Sequence, residues 1–290
     1  MSALTTIGLP VALGIIMLGL GLSLTLGDFA RVLKQPKAVI IALLCQLVLL
    51  PLICFGLVLA FSLPPILAVG MMMLAASPGG TTANLYSHLF RGDVALNISL
   101  TAVNSVIAVI TLPFITNLAI AYFDPFDDQL GLQWSKALEV FAIVLLPVAL
   151  GMLIRRFWPT FAHTMDKPVR IASVLILVLV IGGAVASNWA LLVANVAQLA
   201  GITVLFCVIS LTVGYLVPRA IKVGKRQAIA TSFEIGIHNA TLAIVIAQSV
   251  LGSTELSLPA AVYGVLMFFI AFGFGFLIRD RSGAERAPAS

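Results

Sequence analysis

Mostly apolar stretches of about twenty residues or more recur along the chain, at 7–26, 38–61, 65–89, 94–123, 135–154, 168–187, 191–218, 228–251 and 257–278. Each is long enough to cross the ~30 Å hydrocarbon core of a bilayer as a helix. Their side chains are apolar all round, without the alternation over about ten residues that marks a barrel strand. The pattern predicts an all-α polytopic membrane protein with about nine transmembrane helices. The connections are short and leave no room for a soluble domain. The first stretch stands where a signal peptide would, but no Lys or Arg precedes it and no polar domain follows, so it reads as a membrane helix. Residues 279–290 are polar and are expected to form a disordered cytoplasmic tail.

Composition sharpens this picture. Of the 290 residues, 61% are hydrophobic and 9% are charged, against about 25% charged in an average soluble domain. So little charge cannot cover so much apolar surface in water, which excludes a soluble enzyme, a nucleic-acid-binding domain and a disordered chain. The net charge of +5 gains meaning once the charges are placed between crossings. Arg31, Lys34, Lys37, Arg91, Arg155, Arg156, Lys167, Arg170, Arg219, Lys222, Lys225, Arg226, Arg279, Arg281 and Arg286 all fall on one side. Lys136 alone is opposite, beside an acidic loop with Asp124, Asp127 and Asp128. The positive-inside rule then puts the N-terminus outside and the C-terminus in the cytoplasm; the membrane is expected to be the plasma (inner) membrane. One span more or fewer would scramble the charges. Cys45, Cys54 and Cys207 lie in apolar runs, without the spacing of a metal or redox pair, and are expected to be small core residues.

Two stretches are interrupted near their middles. The third contains Ser-Pro-Gly-Gly-Thr-Thr-Ala-Asn, Ser77 to Asn84; the eighth contains Glu-Ile-Gly-Ile-His-Asn, Glu234 to Asn239. They are five crossings apart and therefore run in opposite directions. Matched interruptions in halves of opposite orientation point to an inverted-repeat secondary transporter, because broken backbone at membrane depth is tolerated where it lines a site. Glu234 is the one acidic residue well inside a stretch. No Lys or Arg lies deep enough to pair with it, which leaves a proton or a metal cation. A hard cation such as sodium takes oxygen ligands, and Asn84, Asn97, Thr101 and Gln46 supply them nearby; Asn97 and Thr101 share a helix face. Taken singly, those four could equally bond between helices as packing groups. His238, inside the same break, reads as a ligand or a proton carrier.

The stretch Ser77–Asn84 followed by Arg91-Gly92-Asp93-Val94-Ala95-Leu96, the stretch Glu234–Asn239 with Leu242-Ala243, and Gln46 with Pro51 resemble the bile acid:sodium symporter family. The resemblance covers nearly the whole chain. It implies one transporter domain over 1–290, of two inverted repeats whose broken helices cross. A panel would be formed by 7–26, 135–154 and 168–187, and a core by 38–123 and 191–278. Bacterial members typically have ten spans, and this chain looks like a nine-span version lacking the first. The resemblance also implies two sodium ions. Asn84, Asn97, Thr101 and Glu234 would hold the first; Gln46, Glu234, the carbonyls of Ile235 and Ile237, and His238 would hold the second. Thr81 and Asn239 would face the substrate. The chain departs from the family pattern at Ala83, where a Ser ligand is common, at Asn97, which replaces a Ser, and at His238, which replaces a Gln. Sodium binds imidazole poorly, so the second site is expected to be weakened or replaced by a protonatable one.

The function implied is sodium-coupled symport of a small organic anion, a carboxylate or a bile-acid-like molecule, by alternating access. The alternative is a proton-coupled organic-anion carrier or antiporter on the same fold. An intramembrane enzyme would need a second acid, a nucleophile or a metal triad beside Glu234, and none is apparent.

Overall fold

The computed structural model describes residues 8–123 and 134–280 and, within residues 134–141 and at 166 and 170, the backbone alone. The acidic loop at 124–128 and the tail beyond 280 lie outside the described residues. Every apolar stretch carries one helix, or two helices flanking a break.

Helix α1 (Leu9–Ser23) stops where Leu24 turns extended, and α2 (Leu26–Arg31) leaves it at 67°. Asp28 fixes the bend: it accepts from the Thr25 backbone N–H and hydroxyl at 2.8 and 2.7 Å and from Arg31 at 2.9 Å. Next come α3 (Pro36–Leu44) and α4 (Leu50–Ala60), joined by a π-helical turn at Cys45–Leu49 into one continuous helix. Pro51 has no N–H to give the preceding turn, and the register slips just before it, with the Leu50 N–H reaching back to the Cys45 carbonyl. The first break separates α5 (Pro65–Ala76) from α6 (Thr81–Leu89). Three long helices follow the next connection: α7 (Val94–Phe123), α8 (Trp134–Phe157) and α9 (Pro159–Ser187). Helix α10 (Trp189–Ala220) leads to the second break, between α11 (Lys225–Gly236) and α12 (Ala240–Val245). A π turn at Ile246–Val250 extends α12, and α13 (Leu258–Ile278) ends the described chain.

Among the described residues, five helical stretches are long and apolar enough to cross a bilayer, or six if α1 and its bent continuation count as one. Their outer faces are greasy: Ile110, Leu179, Phe269 and Leu277 are 74–82% exposed. Water would not tolerate so many such side chains; hydrocarbon would. This is the architecture of a polytopic membrane protein.

One boundary differs from the sequence reading. Helix α9 begins at Pro159, well before residue 168, so only Trp158 separates it from α8. Charges had ended the apolar run, but they do not end the helix. Pro159 takes the first helical position, where its missing N–H costs nothing. Arg155 and Arg156 occupy the last turn of α8, where cations suit the helix dipole. Arg155 also donates to the Leu22 carbonyl at 2.9 Å.

Two packing groups emerge. Helices α1, α8 and α9 lie against one another, while α5, α6, α7, α10, α11 and α13 surround the breaks. A Cβ on Gly21 would strike the Val148 backbone, and one on Gly151 would lie 2.5 Å from the Leu18 carbonyl oxygen. Small residues let α1 and α8 approach backbone to backbone. In the other group every residue from Ala228 to His238 is buried. The three cysteines are free and buried in this packing.

Candidate functional site at the helix crossing

The two interruptions meet. The Gly80 N–H donates to the Ile237 carbonyl and the Asn239 N–H to the Pro78 carbonyl, both at 2.9 Å. This short antiparallel bridge satisfies backbone groups that hydrocarbon would leave unpaired. Helices α6 and α12 start from it, so both N-terminal ends open at the crossing. Thr81, Asn84 and Asn239 are half-buried there. Asn239 spends its side-chain oxygen on the Leu242 N–H at 3.0 Å, capping α12.

Glu234 lies one turn before the second break and is 0% exposed. It has no ion-pair partner among the described residues. Thr101 Oγ1 donates to its Oε2 at 2.5 Å, and Asn104 Nδ2 donates to its Oε1 at 3.0 Å. The Gly79 backbone also bonds to it. Gly79 comes so close that a Cβ there would lie 2.5 Å from Oε1. Asn97, one turn before Thr101, donates to the Ala230 carbonyl at 2.7 Å, one turn before Glu234. Helix α7 thus presents Asn97, Thr101 and Asn104 in a row to α11.

What these groups leave unpaired matters more. The side-chain oxygens Asn84 Oδ1, Asn97 Oδ1, Asn104 Oδ1 and Gln46 Oε1 are buried without a hydrogen-bond partner. Unpaired buried acceptors are rare and costly; a hard cation satisfies them without a donor. Among the described residues, no three His, Cys, Asp or Glu side chains converge as a transition-metal site would require. The donor set is amide, hydroxyl and carboxylate oxygen, which fits an alkali cation.

Gln46 and His238 converge elsewhere. Gln46 Nε2 donates to the Ser77 carbonyl at 2.9 Å, and His238 Nδ1 lies 3.1 Å from the same oxygen. A carbonyl accepts only, so Nδ1 carries the proton. Nε2 is left buried without a partner. The ring stacks on Phe206 at 5.5 Å and meets the edge of Tyr263, also at 5.5 Å. The carbonyl of Ile237 is engaged by Gly80; Ile235 is fully buried one residue beyond Glu234. Of the expected residues, Thr101 bonds to the carboxylate with Asn97 one turn before it, and Gln46 and His238 meet at the Ser77 carbonyl; Asn84, Thr81 and Asn239 line the crossing without a bond to either. Asn104 was missed by sequence reasoning, although its place three residues beyond Thr101 was the available signal.

A fully buried carboxylate at the meeting of two broken helices, inside a shell of exposed apolar side chains, fits a polytopic membrane protein. The chain belongs to the sodium bile acid symporter family, whose model matches residues 10–195. It is 32% identical to a probable chloroplastic sodium/metabolite cotransporter of Arabidopsis thaliana, over 88% of this chain and 62% of that one. It is 26% identical to an uncharacterised sodium-dependent transporter of Bacillus subtilis, over 89% and 78% of the respective chains. The human ileal sodium/bile acid cotransporter is 24% identical over 93% and 78%. The chain spans about three-fifths of the length of the plant relatives it matches. The Bacillus and ileal matches extend well beyond residue 195.

Proposed function

We propose that the protein is a sodium-coupled symporter of a small organic anion, working by alternating access. The carrying observation is Glu234: fully buried, without a cationic partner among the described residues, and bonded to Asn104, whose own side-chain oxygen is buried and unpaired. Sodium is cargo at this site, held by Glu234, Asn84, Asn97 and Thr101. The N-terminal end of α6 and the charge of bound sodium offer the positive field an anion needs without a buried Arg. Thr81 and Asn239, at the starts of α6 and α12, are the substrate-facing residues. The names of the three relatives described above, each of which mentions sodium, support this reading.

The finer architecture belongs to the same proposal. Nine crossings, an outside N-terminus and a cytoplasmic C-terminus account for the one-sided basic residues. The grouping of α1, α8 and α9 against the rest supports a panel that moves relative to a core.

Uptake into proteoliposomes tests the function. A panel of candidate anions, from short mono- and dicarboxylates to taurocholate, is first screened by thermal stabilisation in sodium and in potassium. An anion at a hundred times its Kd adds about 2.7 kcal/mol. The selected anion should then accumulate under an inward sodium gradient and not under potassium, and Glu234→Gln should abolish the difference. Sodium-stimulated uptake by that variant would refute the assignment.

His238 favours a second reading. Its unpartnered Nε2 is a proton acceptor beside the crossing, which suits coupling to a proton in place of a second sodium. On that reading an inward proton gradient drives uptake by the native protein and not by His238→Gln.

A further inference from the structure

Asn104 sits on α7 three residues after Thr101 and seven after Asn97, about two turns along one face. It is 1% exposed. Its Nδ2 donates to Glu234 Oε1 at 3.0 Å, while Thr101 holds Oε2. Helix α7 thereby engages both oxygens of the carboxylate. An ionised Glu234 accepts only, so the amide must turn its nitrogen toward it. The planar amide then fixes its own carbonyl oxygen beside the carboxylate, and that oxygen is buried with no hydrogen-bond partner. An amide held for its donor alone would be expected to pair its acceptor as well, since orphaned buried acceptors are costly. Asn97 repeats the arrangement one turn before Thr101, with its nitrogen on the Ala230 carbonyl and its oxygen unpaired. The two amides flank Thr101 on α7, each spending a donor on α11 and leaving its oxygen unpaired.

The geometry points to Asn104 as a further direct ligand of the cation that Glu234 binds, contributing Oδ1 while Nδ2 orients the carboxylate. This rests on the reading of Glu234 as a sodium site and adds a ligand that neither the sequence motifs nor the resemblance supplied. A hard cation between carboxylate and amide oxygens accounts for the unpaired acceptor and for the negative charge together.

The test uses the purified full chain with sodium as the sole probe, exchanged for potassium at constant ionic strength and followed by thermal unfolding. The native protein is expected to be stabilised saturably by sodium, and Glu234→Gln is expected to lose that response. If either expectation fails, the sodium reading falls and this inference with it, before any Asn104 variant is compared. With those two in place, Asn104→Ala should raise half-saturating sodium at least tenfold. Asn104→Asp, which keeps an oxygen in the same position but has no N–H, should stay within about threefold of the native value at pH 8.5. Half-saturation unchanged within twofold in Asn104→Ala overturns the ligand role. So does an Asp variant as weak as the Ala variant, since that would mean that the donor alone matters. Should the Ala variant not fold, Asn104→Ser, with a shorter oxygen, is expected to raise half-saturation severalfold; no rise overturns the inference.

Discussion

Gly79 and Glu234 constrain each other across the crossing. Any Cβ at position 79 would lie 2.5 Å from the carboxylate oxygen and 2.6 Å from the Glu234 backbone oxygen. Neither neighbour can give way, because one is helix backbone and the other is held by Thr101 and Asn104. Gly79→Ala should therefore destabilise the protein by about 1–3 kcal/mol, as overpacking does, and should weaken the sodium response well beyond that of a distant variant of equal stability. Sodium-dependent melting of the two side by side decides it; an unchanged half-saturation would mean that Glu234 is not held by this contact. At this scale the sequence was most readable where a residue contradicted its surroundings. A lone carboxylate in an apolar run, with a Gly-Gly pair in another, announced the site. Asn104 was not readable in the same way. It stands among Val103, Ser105 and Val106, where one amide is unremarkable, and its meaning comes from a partner 130 residues away.

Between elements, the close approach of α1 and α8 depends on Gly21 and Gly151, which face each other's backbones. Both helices belong to the group away from Glu234. Gly151→Leu should force them apart and lower the melting temperature by several degrees, at about 2–4 °C per kcal/mol for larger domains. Half-saturating sodium should stay unchanged; a parallel loss of sodium affinity would show that the two helix groups do not act as separate units at the site. Helix existence was legible because apolar length is what a bilayer demands, and the two breaks were legible through Pro78, Gly79, Gly80 and Gly236. Boundaries were less so. Lys167 reads as a loop residue until α9 is seen to run straight through it from Pro159. The π turn carrying Gln46 was hidden too: Pro51 marks a disturbance there, but only the fold shows that the register slips by one residue.

For the whole molecule, the proposed symport makes the composition of the cluster at Gln46 and His238 decide how far an anion is accumulated. A tenfold sodium gradient supplies about 1.4 kcal/mol per ion, and a net charge moved through 100 mV supplies about 2.3 kcal/mol. Two sodium ions carried with a monoanion would draw on about 5 kcal/mol, enough for several thousandfold accumulation. One sodium with a monoanion moves no net charge and sustains only about tenfold. The choice turns on His238. Its Nδ1 is tied to the Ser77 carbonyl that Gln46 also uses, and its free Nε2 is a nitrogen where sodium prefers oxygen. The cluster therefore lacks an oxygen that a Gln would bring. In proteoliposomes with a tenfold sodium gradient and no pH gradient, the native protein should accumulate a monoanion about tenfold, and an imposed 100 mV, inside negative, should not raise this. His238→Gln restores the missing oxygen within the same buried frame of Phe206 and Tyr263. That variant should take up net positive charge, respond to the imposed potential and accumulate the same anion at least a hundredfold. If the native protein already responds to potential as the variant does, that cluster binds sodium despite its imidazole, and the one-ion reading fails.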